Sequence, residues 1–179
     1  MEVLPTSPLP PPGTPLPSTA ARVVLMCGPS GAGKTTVARG LEARGFVRLS
    51  VDDETWRRGH RAHPVTVEVA EEVDAVLRGR LLEVLAAGGR VVLDFSFATR
   101  ASRDDYRALV HGVGVEAETW YVDTPRAEAL RRVAARRGRA PDDVVLAPEV
   151  AAAHVDGFEV PTPEEGPLRV LRDGREVRP

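Results

Sequence analysis

The chain has 179 residues, 42% apolar and 28% charged, with a net charge of −2 and a pI near 6.1. That length suits one domain with enough apolar residues for a core. The charge balance excludes a large basic surface for duplex nucleic acid, though not a local groove. The single cysteine, Cys27, excludes an intrachain disulfide framework and a cysteine-rich zinc site. No apolar run approaches the roughly 20 residues of a membrane span, and the first residues lack the basic and apolar regions of a secretory signal. These features predict a soluble, cytoplasmic protein that does not engage a membrane.

Aromatic residues make up only 4%, so Leu, Val and Ala must fill the core. Of the 24 basic residues, 23 are Arg and one is Lys34. In so Arg-biased a chain, the one retained lysine marks a position where a guanidinium would not serve.

Residues 1–20 hold seven of the 16 prolines, spaced by Ser, Thr and Gly. This composition predicts a disordered, dispensable tail, with the folded domain over 21–179. The run Val-Val-Leu-Met-Cys at 23–27 reads as a buried parallel strand. A helix follows over 34–44, with Val37, Ala38 and Leu41 on one face and Gly45 as its stop. Residues 46–49 form a second strand, and 66–87 a long helix with Val69, Val73, Leu77, Leu81 and Leu85 at helical spacing. Residues 91–94 give a third strand, 101–110 a helix and 119–122 a fourth strand. Pro125 opens a helix that runs to 137 before Gly138. A weaker helix over 147–154 and a strand over 168–171 complete the pattern. Strands alternating with helices predict an α/β sandwich around a mainly parallel sheet.

Residues 28–35, Gly-Pro-Ser-Gly-Ala-Gly-Lys-Thr, match G-x-x-x-x-G-K-[ST] between a predicted strand and a predicted helix. Gly28, Ser30, Gly31, Ala32 and Gly33 present backbone N–H groups to phosphate, helped by the helix N-terminus. Lys34 reaches the β- and γ-phosphates, and the Thr35 hydroxyl suits Mg²⁺. Thr36 is counted with the loop as the next helical residue.

With that loop, the chain resembles the P-loop kinases that phosphorylate hydroxyl groups. This broad group includes polynucleotide 5′-hydroxyl kinases, chloramphenicol phosphotransferase and zeta-type toxin kinases. The resemblance implies a three-layer P-loop NTPase sandwich with a five-stranded sheet in the order 2-3-1-4-5. It also implies ATP and Mg²⁺ as cofactors and a small hydroxyl compound as acceptor. Asp52 of the Asp52-Asp53 pair maps to the general base, although Ser50 or Asp52 could instead cap a turn over 53–58. Arg57 or Arg58 would hold the acceptor, at a spacing unlike that of the polynucleotide kinases. Asp94 would serve the metal, with Ser96 and Arg100 or Arg103 nearby, and Arg103 is counted with Asp52 and Arg57 as binding the acceptor. Arg132 and Arg136, four apart on one helix face, match the arginines of a lid that closes over ATP. The acceptor region would be formed by residues 56–67 and the start of the long helix, with Arg57, Arg58, His60, Arg61 and His63, a mix that suits a polar or anionic acceptor. Trp56 would line that pocket and Trp120 the core. The stretch 157–165 either borders adenine through Phe158 or is a stiff connector. The four histidines show no ligand spacing. The leading expectation is a small ATP-dependent hydroxyl kinase, with Lys34, Asp52 and Arg136 as its catalytic groups. A polynucleotide 5′-hydroxyl kinase is less favoured by the net charge. A toxin-type kinase acting on a nucleotide sugar would use the same motifs. A nucleotide-dependent switch that transfers to no acceptor would keep Lys34, Thr35 and Asp94 but would not need Asp52.

Overall fold

A computed structural model describes residues 16–61 and 63–177. Its chain order is β1 (Val23–Cys27), α1 (Lys34–Glu42), β2 (Val47–Ser50), α2 (Val51–Arg57), α3 (Val67–Ala86), β3 (Val91–Asp94) and α4 (Arg100–His111). There follow β4 (Ala117–Val122), α5 (Arg126–Ala134), α6 (Pro148–Asp156), a 3₁₀ turn at Pro163–Glu165, β5 (Leu168–Arg172) and β6 (Arg175–Val177). The sheet order is β2-β3-β1-β4-β5-β6. The first five strands are parallel, as expected, and β6 runs antiparallel to β5.

The sixth strand corrects the expected count of five. Asp173 and Gly174 take φ of +50° and +74°, which makes a two-residue hairpin of the kind an Asp-Gly pair favours. That signal stands in the sequence, but β6 has only three residues and little apolar character to mark it.

The strands alternate their side chains between two cores. Val23, Leu25, Leu49, Val91 and Leu93 meet Val73, Leu77, Leu81 and Leu85 of α3 and Tyr106 and Val110 of α4. Val24, Met26, Val92, Trp120 and Leu171 meet Val37, Ala38 and Leu41 of α1. This is the expected three-layer sandwich. Each large aliphatic side chain buried this way contributes roughly 1.5–3 kcal/mol. Thr66 caps α3 by accepting from Val69 N at 3.4 Å, so the spacing located that helix to within a residue at each end.

Two local elements differ from expectation. The segment read as a turn over 53–58 is the helix α2, capped by Ser50 Oγ accepting from Asp53 N at 3.2 Å. Helix α5 ends at Ala134 rather than 137. The Asp143 carboxylate accepts from Arg137 N at 3.0 Å, and its carbonyl accepts from Gly138 N at 2.9 Å, which pulls the chain out of the helix.

Residues 1–15 of the predicted tail lie outside the described residues. Residues 16–20 contact the domain. Leu16 packs beside the α1 core, Arg44 Nη1 donates to the Leu16 carbonyl at 3.0 Å, and Thr19 Oγ1 donates to Glu118 at 2.6 Å. The boundary drawn after residue 20 cuts through these contacts. No helix among the described residues is long and apolar enough to cross a membrane.

Candidate nucleotide and acceptor site

The loop over 28–35 joins β1 to α1 at the carboxyl end of the sheet. Gly31 and Gly33 take φ of +80° and +100°, a region that glycine enters without strain. At Gly31 space also forbids a side chain, because a Cβ would lie 2.2 Å from the Ala129 carbonyl oxygen of α5. No side chain caps the start of α1, which leaves its first-turn N–H groups for an anion. The Lys34 ammonium donates to the carbonyls of Gly28 and Pro29 at 2.8 and 2.9 Å. Burial pulls its pKa down, and the charges of Asp94 and Asp52 oppose that pull. Thr124 Oγ1 donates to the Ala32 carbonyl at 2.8 Å, and Ser30 Oγ lies 3.4 Å from His154 Nδ1 of α6.

Adjacent strand ends supply two carboxylates. Asp94 closes β3, is nearly buried, and accepts from Thr35 Oγ1 at 3.4 Å. Asp52 stands in the first turn of α2 and borders the same cavity. Ser50 performs the capping, so the Asp-Asp pair divides: Asp52 borders the cavity, while Asp53 pairs with Arg48. Burial raises the pKa of both Asp52 and Asp94, against the opposing charges of Lys34 at Asp52 and of Arg48 and Lys34 at Asp94.

The Thr35 hydroxyl and the Asp94 carboxylate oxygen fit Mg²⁺. They are hard oxygen donors within 3.4 Å of each other beside the phosphate loop. No group of three or more His, Cys, Asp or Glu able to hold a metal occurs among the described residues. Such a sparse donor set suits an ion that keeps waters and phosphate oxygens as its other ligands.

These groups surround a cavity of about 860 Å³. The loop residues Ser30, Gly31, Gly33, Lys34, Thr35 and Thr36 form its floor, while Gly28 and Ala32 lie buried beneath. Arg131, Arg132 and Arg136 approach from α5 and the segment after it. Arg131 and Arg132 both pair with Glu128, at 2.7 Å each. Arg132 Nη1 also donates to the Ala32 carbonyl at 3.3 Å. Arg136 donates to the Val144 carbonyl at 3.3 Å and has no carboxylate partner among the described residues.

Two predicted acceptor arginines lie away from the cavity. Arg57 is held in a two-point contact by Glu54, at 2.5 and 3.0 Å. Arg103 is fully buried and grips Glu165 at 2.7 and 2.8 Å. It also donates to the carbonyls of Phe97 and Glu159, both at 2.9 Å, and so fastens the 157–165 stretch to the turn after β3. Phe158 stacks on Tyr121 with centroids 5.7 Å apart, and only Gly157 of that stretch borders the cavity, the geometry of a stiff connector. Trp120 is core, and Trp56 lies under the Arg61 guanidinium at 3.7 Å rather than on the cavity wall. Burial pushes the Cys27 thiol up to about 11, so it supplies no thiolate.

Sequence reasoning missed Arg48 and His154, and held His63 only as one member of an acceptor region over 56–67, without a role of its own. Arg48 looks like one more basic residue in an Arg-rich chain, and only the pairing of β2 with β3 shows that it meets Asp94. His63 and His154 border the cavity from segments remote in sequence. The bend at Phe97, a non-glycine residue at φ +43°, is held by stacking on Phe95 at 5.2 Å and by the Arg103 bond. It sets Ser96 and Ala98 on the cavity wall.

A parallel sheet in this order, with a glycine loop feeding α1 and a strand-end carboxylate facing the loop hydroxyl, defines a P-loop kinase fold. A family profile described as an AAA domain matches residues 23–161, and the chain belongs to that family. No curated protein matches it. Among solved structures it is similar to a sugar kinase from Janibacter sp. HTCC2649, at 23% identity and a TM-score of 0.62, over 87% of each chain. It is also similar to Chaetomium thermophilum Kti12 in complex with ADP-AlF3, at 21% identity and a TM-score of 0.66, over 84% of this chain and 88% of that one. It matches a chain of the Pnkp1/Rnl/Hen1 complex at 18% identity and a TM-score of 0.57, over 63% of this chain, and spans only 38% of the length of that one.

Proposed function

We propose that this protein is an ATP- and Mg²⁺-dependent phosphotransferase that moves the γ-phosphate to a hydroxyl of a small polar molecule. One observation carries the reading. Lys34 and Thr35 follow β1, Asp52 follows β2, Asp94 ends β3, and all four border one cavity. Ligands of open α/β sheets bind at such strand ends. The sugar kinase and the ADP-bound Kti12 that share the fold support phosphoryl and nucleotide chemistry at this position.

Thr35 and Asp94 would hold Mg²⁺, which neutralises phosphate oxygens when bound. Asp52 accepts the proton of the acceptor hydroxyl as that oxygen bonds to the γ-phosphorus. The bond from phosphorus to the β–γ bridging oxygen breaks, and ADP leaves with the electron pair. Lys34 offsets charge on the phosphates. Arg136, without a carboxylate partner among the described residues, would offset charge on the transferring group once the segment after α5 closes over it.

The test is acceptor-dependent ADP release measured against acceptor-free hydrolysis. Asp52→Asn should keep ADP affinity within a few fold and lower transfer by about 10²–10⁴, while Lys34→Ala should abolish it. ATP turnover indifferent both to acceptors and to Asp52→Asn would instead mean an ATPase or switch.

A further inference from the structure

Helix α6 brings to the phosphate loop a side chain that the proposed transfer step does not use. Ser30 Oγ lies 3.4 Å from His154 Nδ1, and both residues border the cavity. The other ring nitrogen of His154 has no partner among the described residues. The end of α6 that carries this ring is fixed from both sides. Arg126 of α5 grips Asp156 at 2.6 and 2.8 Å. Beyond the helix, Phe158 stacks on Tyr121 of β4, and Glu159 N donates to the Ala98 carbonyl at 2.8 Å. The histidine is thus tied to α5 on one side and to the turn after β3 on the other.

That turn places His154 along the phosphate chain. It starts at Asp94, and its Ser96 carbonyl accepts from Gly28 N at 3.2 Å, so it runs from the proposed metal-binding carboxylate to the start of the loop. The opposite end of the cavity is closed by Asp142, which pairs with Arg39 of α1 at 3.2 Å, one turn past Thr36. In transfer, the γ-phosphate must meet the acceptor at Asp52. Asp52, Asp94 and Ser96 all follow or end the adjacent strands β2 and β3. The γ end of the nucleotide therefore points toward the turn after β3, where Ser30 and His154 stand, and the nucleoside end toward α1 and Asp142.

From this arrangement we propose that His154 is a γ-phosphate-binding residue of the site, with Ser30 orienting its ring. The proposal rests on the reading of the cavity as the ATP site of a phosphotransferase. The two neutral tautomers differ in what the far nitrogen offers. A phosphate oxygen selects the one in which Ser30 Oγ donates to the near nitrogen and the far nitrogen carries the proton. His154 keeps that proton throughout, and the proton of the acceptor still passes to Asp52. The contact is made to ATP and to the transferring group but not to ADP.

The test measures the affinity of the full chain for AMPPNP and for ADP, each with Mg²⁺, by calorimetry, with a thermal melt of every variant. A hydrogen bond to a charged group sets the expected scale: His154→Ala should weaken AMPPNP binding about tenfold or more and leave ADP binding within about twofold. His154→Gln, whose amide can donate in the same direction, should recover most of that loss. Equal losses for the two nucleotides would make His154 a support of the loop and overturn the proposal. Unchanged affinity for both, with or without a lower Tm, would make it a helix-end residue and overturn it equally. The predicted discrimination without acceptor-dependent ADP release would uphold the His154 contact while the phosphotransfer reading fails. A wild-type chain that binds neither nucleotide would end both.

Discussion

Arg48 Nη1 lies 2.8 Å from Asp94 Oδ2, and the same guanidinium pairs with Asp53, the neighbour of Asp52. Its side chain is 8% exposed and that of Asp94 2%. One buried cation thus ties the strand that ends in the proposed metal-binding carboxylate to the helix that carries the proposed base. Such an orienting contact often changes metal affinity or activity by about 10- to 100-fold when removed.

Arg48→Met should therefore raise the Mg²⁺ concentration needed for half-maximal turnover by about tenfold or more, with metal-free ADP affinity little changed. It should also cost stability, because buried Asp94 loses its ion-pair partner and keeps only the charge of Lys34 against it. Arg48→Lys should recover part of both. A Mg²⁺ titration beside a thermal melt separates the two roles. A lower Tm with an unchanged Mg²⁺ curve would make Arg48 purely structural.

Asp52 supplies a pH signature. Burial raises its pKa in the folded protein, so the proposed base loses its charge at a higher pH than an ordinary carboxylate. Turnover should fall as pH drops through that raised value. For stability the sign is opposite to that of a salt-bridged acid. The folded state binds the proton more readily than the unfolded chain, so the penalty of ionised Asp52 is absent at low pH and grows as pH rises through the raised value. Asp52→Asn should melt higher than the wild type near pH 7, and the gap should close in acid. Melts across pH, run beside rate profiles, check both halves.

The loop glycines should differ in their tolerance of a side chain. Gly31→Ala meets both a left-handed φ and the Ala129 carbonyl, so loop and α5 must separate. It should lower Tm and abolish nucleotide binding together. At Gly33 the nearest atom to an added Cβ is a terminal nitrogen of Arg132 at 3.5 Å. Gly33→Ala should cost only the conformational strain, about 1–2 kcal/mol. Equal losses at the two positions would mean that conformation alone decides.

Leu16 sits over Gly40 of α1, where an added Cβ would lie 2.5 Å from its Cδ1. Leu16→Ala should destabilise the protein by about 1 kcal/mol, the scale of a partly buried aliphatic side chain. Deletion of residues 1–20 should cost more, since it also removes the Thr19 contacts to Glu118 and Arg90. Turnover per folded molecule should be unchanged in both. An unchanged Tm on deletion would restore the reading of the whole stretch as dispensable.

Local chemistry wrote the strands, the long helices and the phosphate loop into the sequence. Apolar runs, helical spacing and a glycine-rich turn before Lys34 act between near neighbours, so the sequence alone determined the α/β class and the loop's floor of the cavity, while the order of the first five strands came from the resemblance to P-loop kinases. The division of labour among charged residues was decided only by tertiary structure. Asp52 and Asp53 are chemically identical neighbours, and what separates them is Arg48 reaching across from β2. Arg57 and Arg103 read as ligand-binding arginines, and buried Glu54 and Glu165 claim them instead. The electrostatic field at a site sums over groups brought together from distant positions and changes sign with burial and pairing. No local pattern of residues encodes that sum.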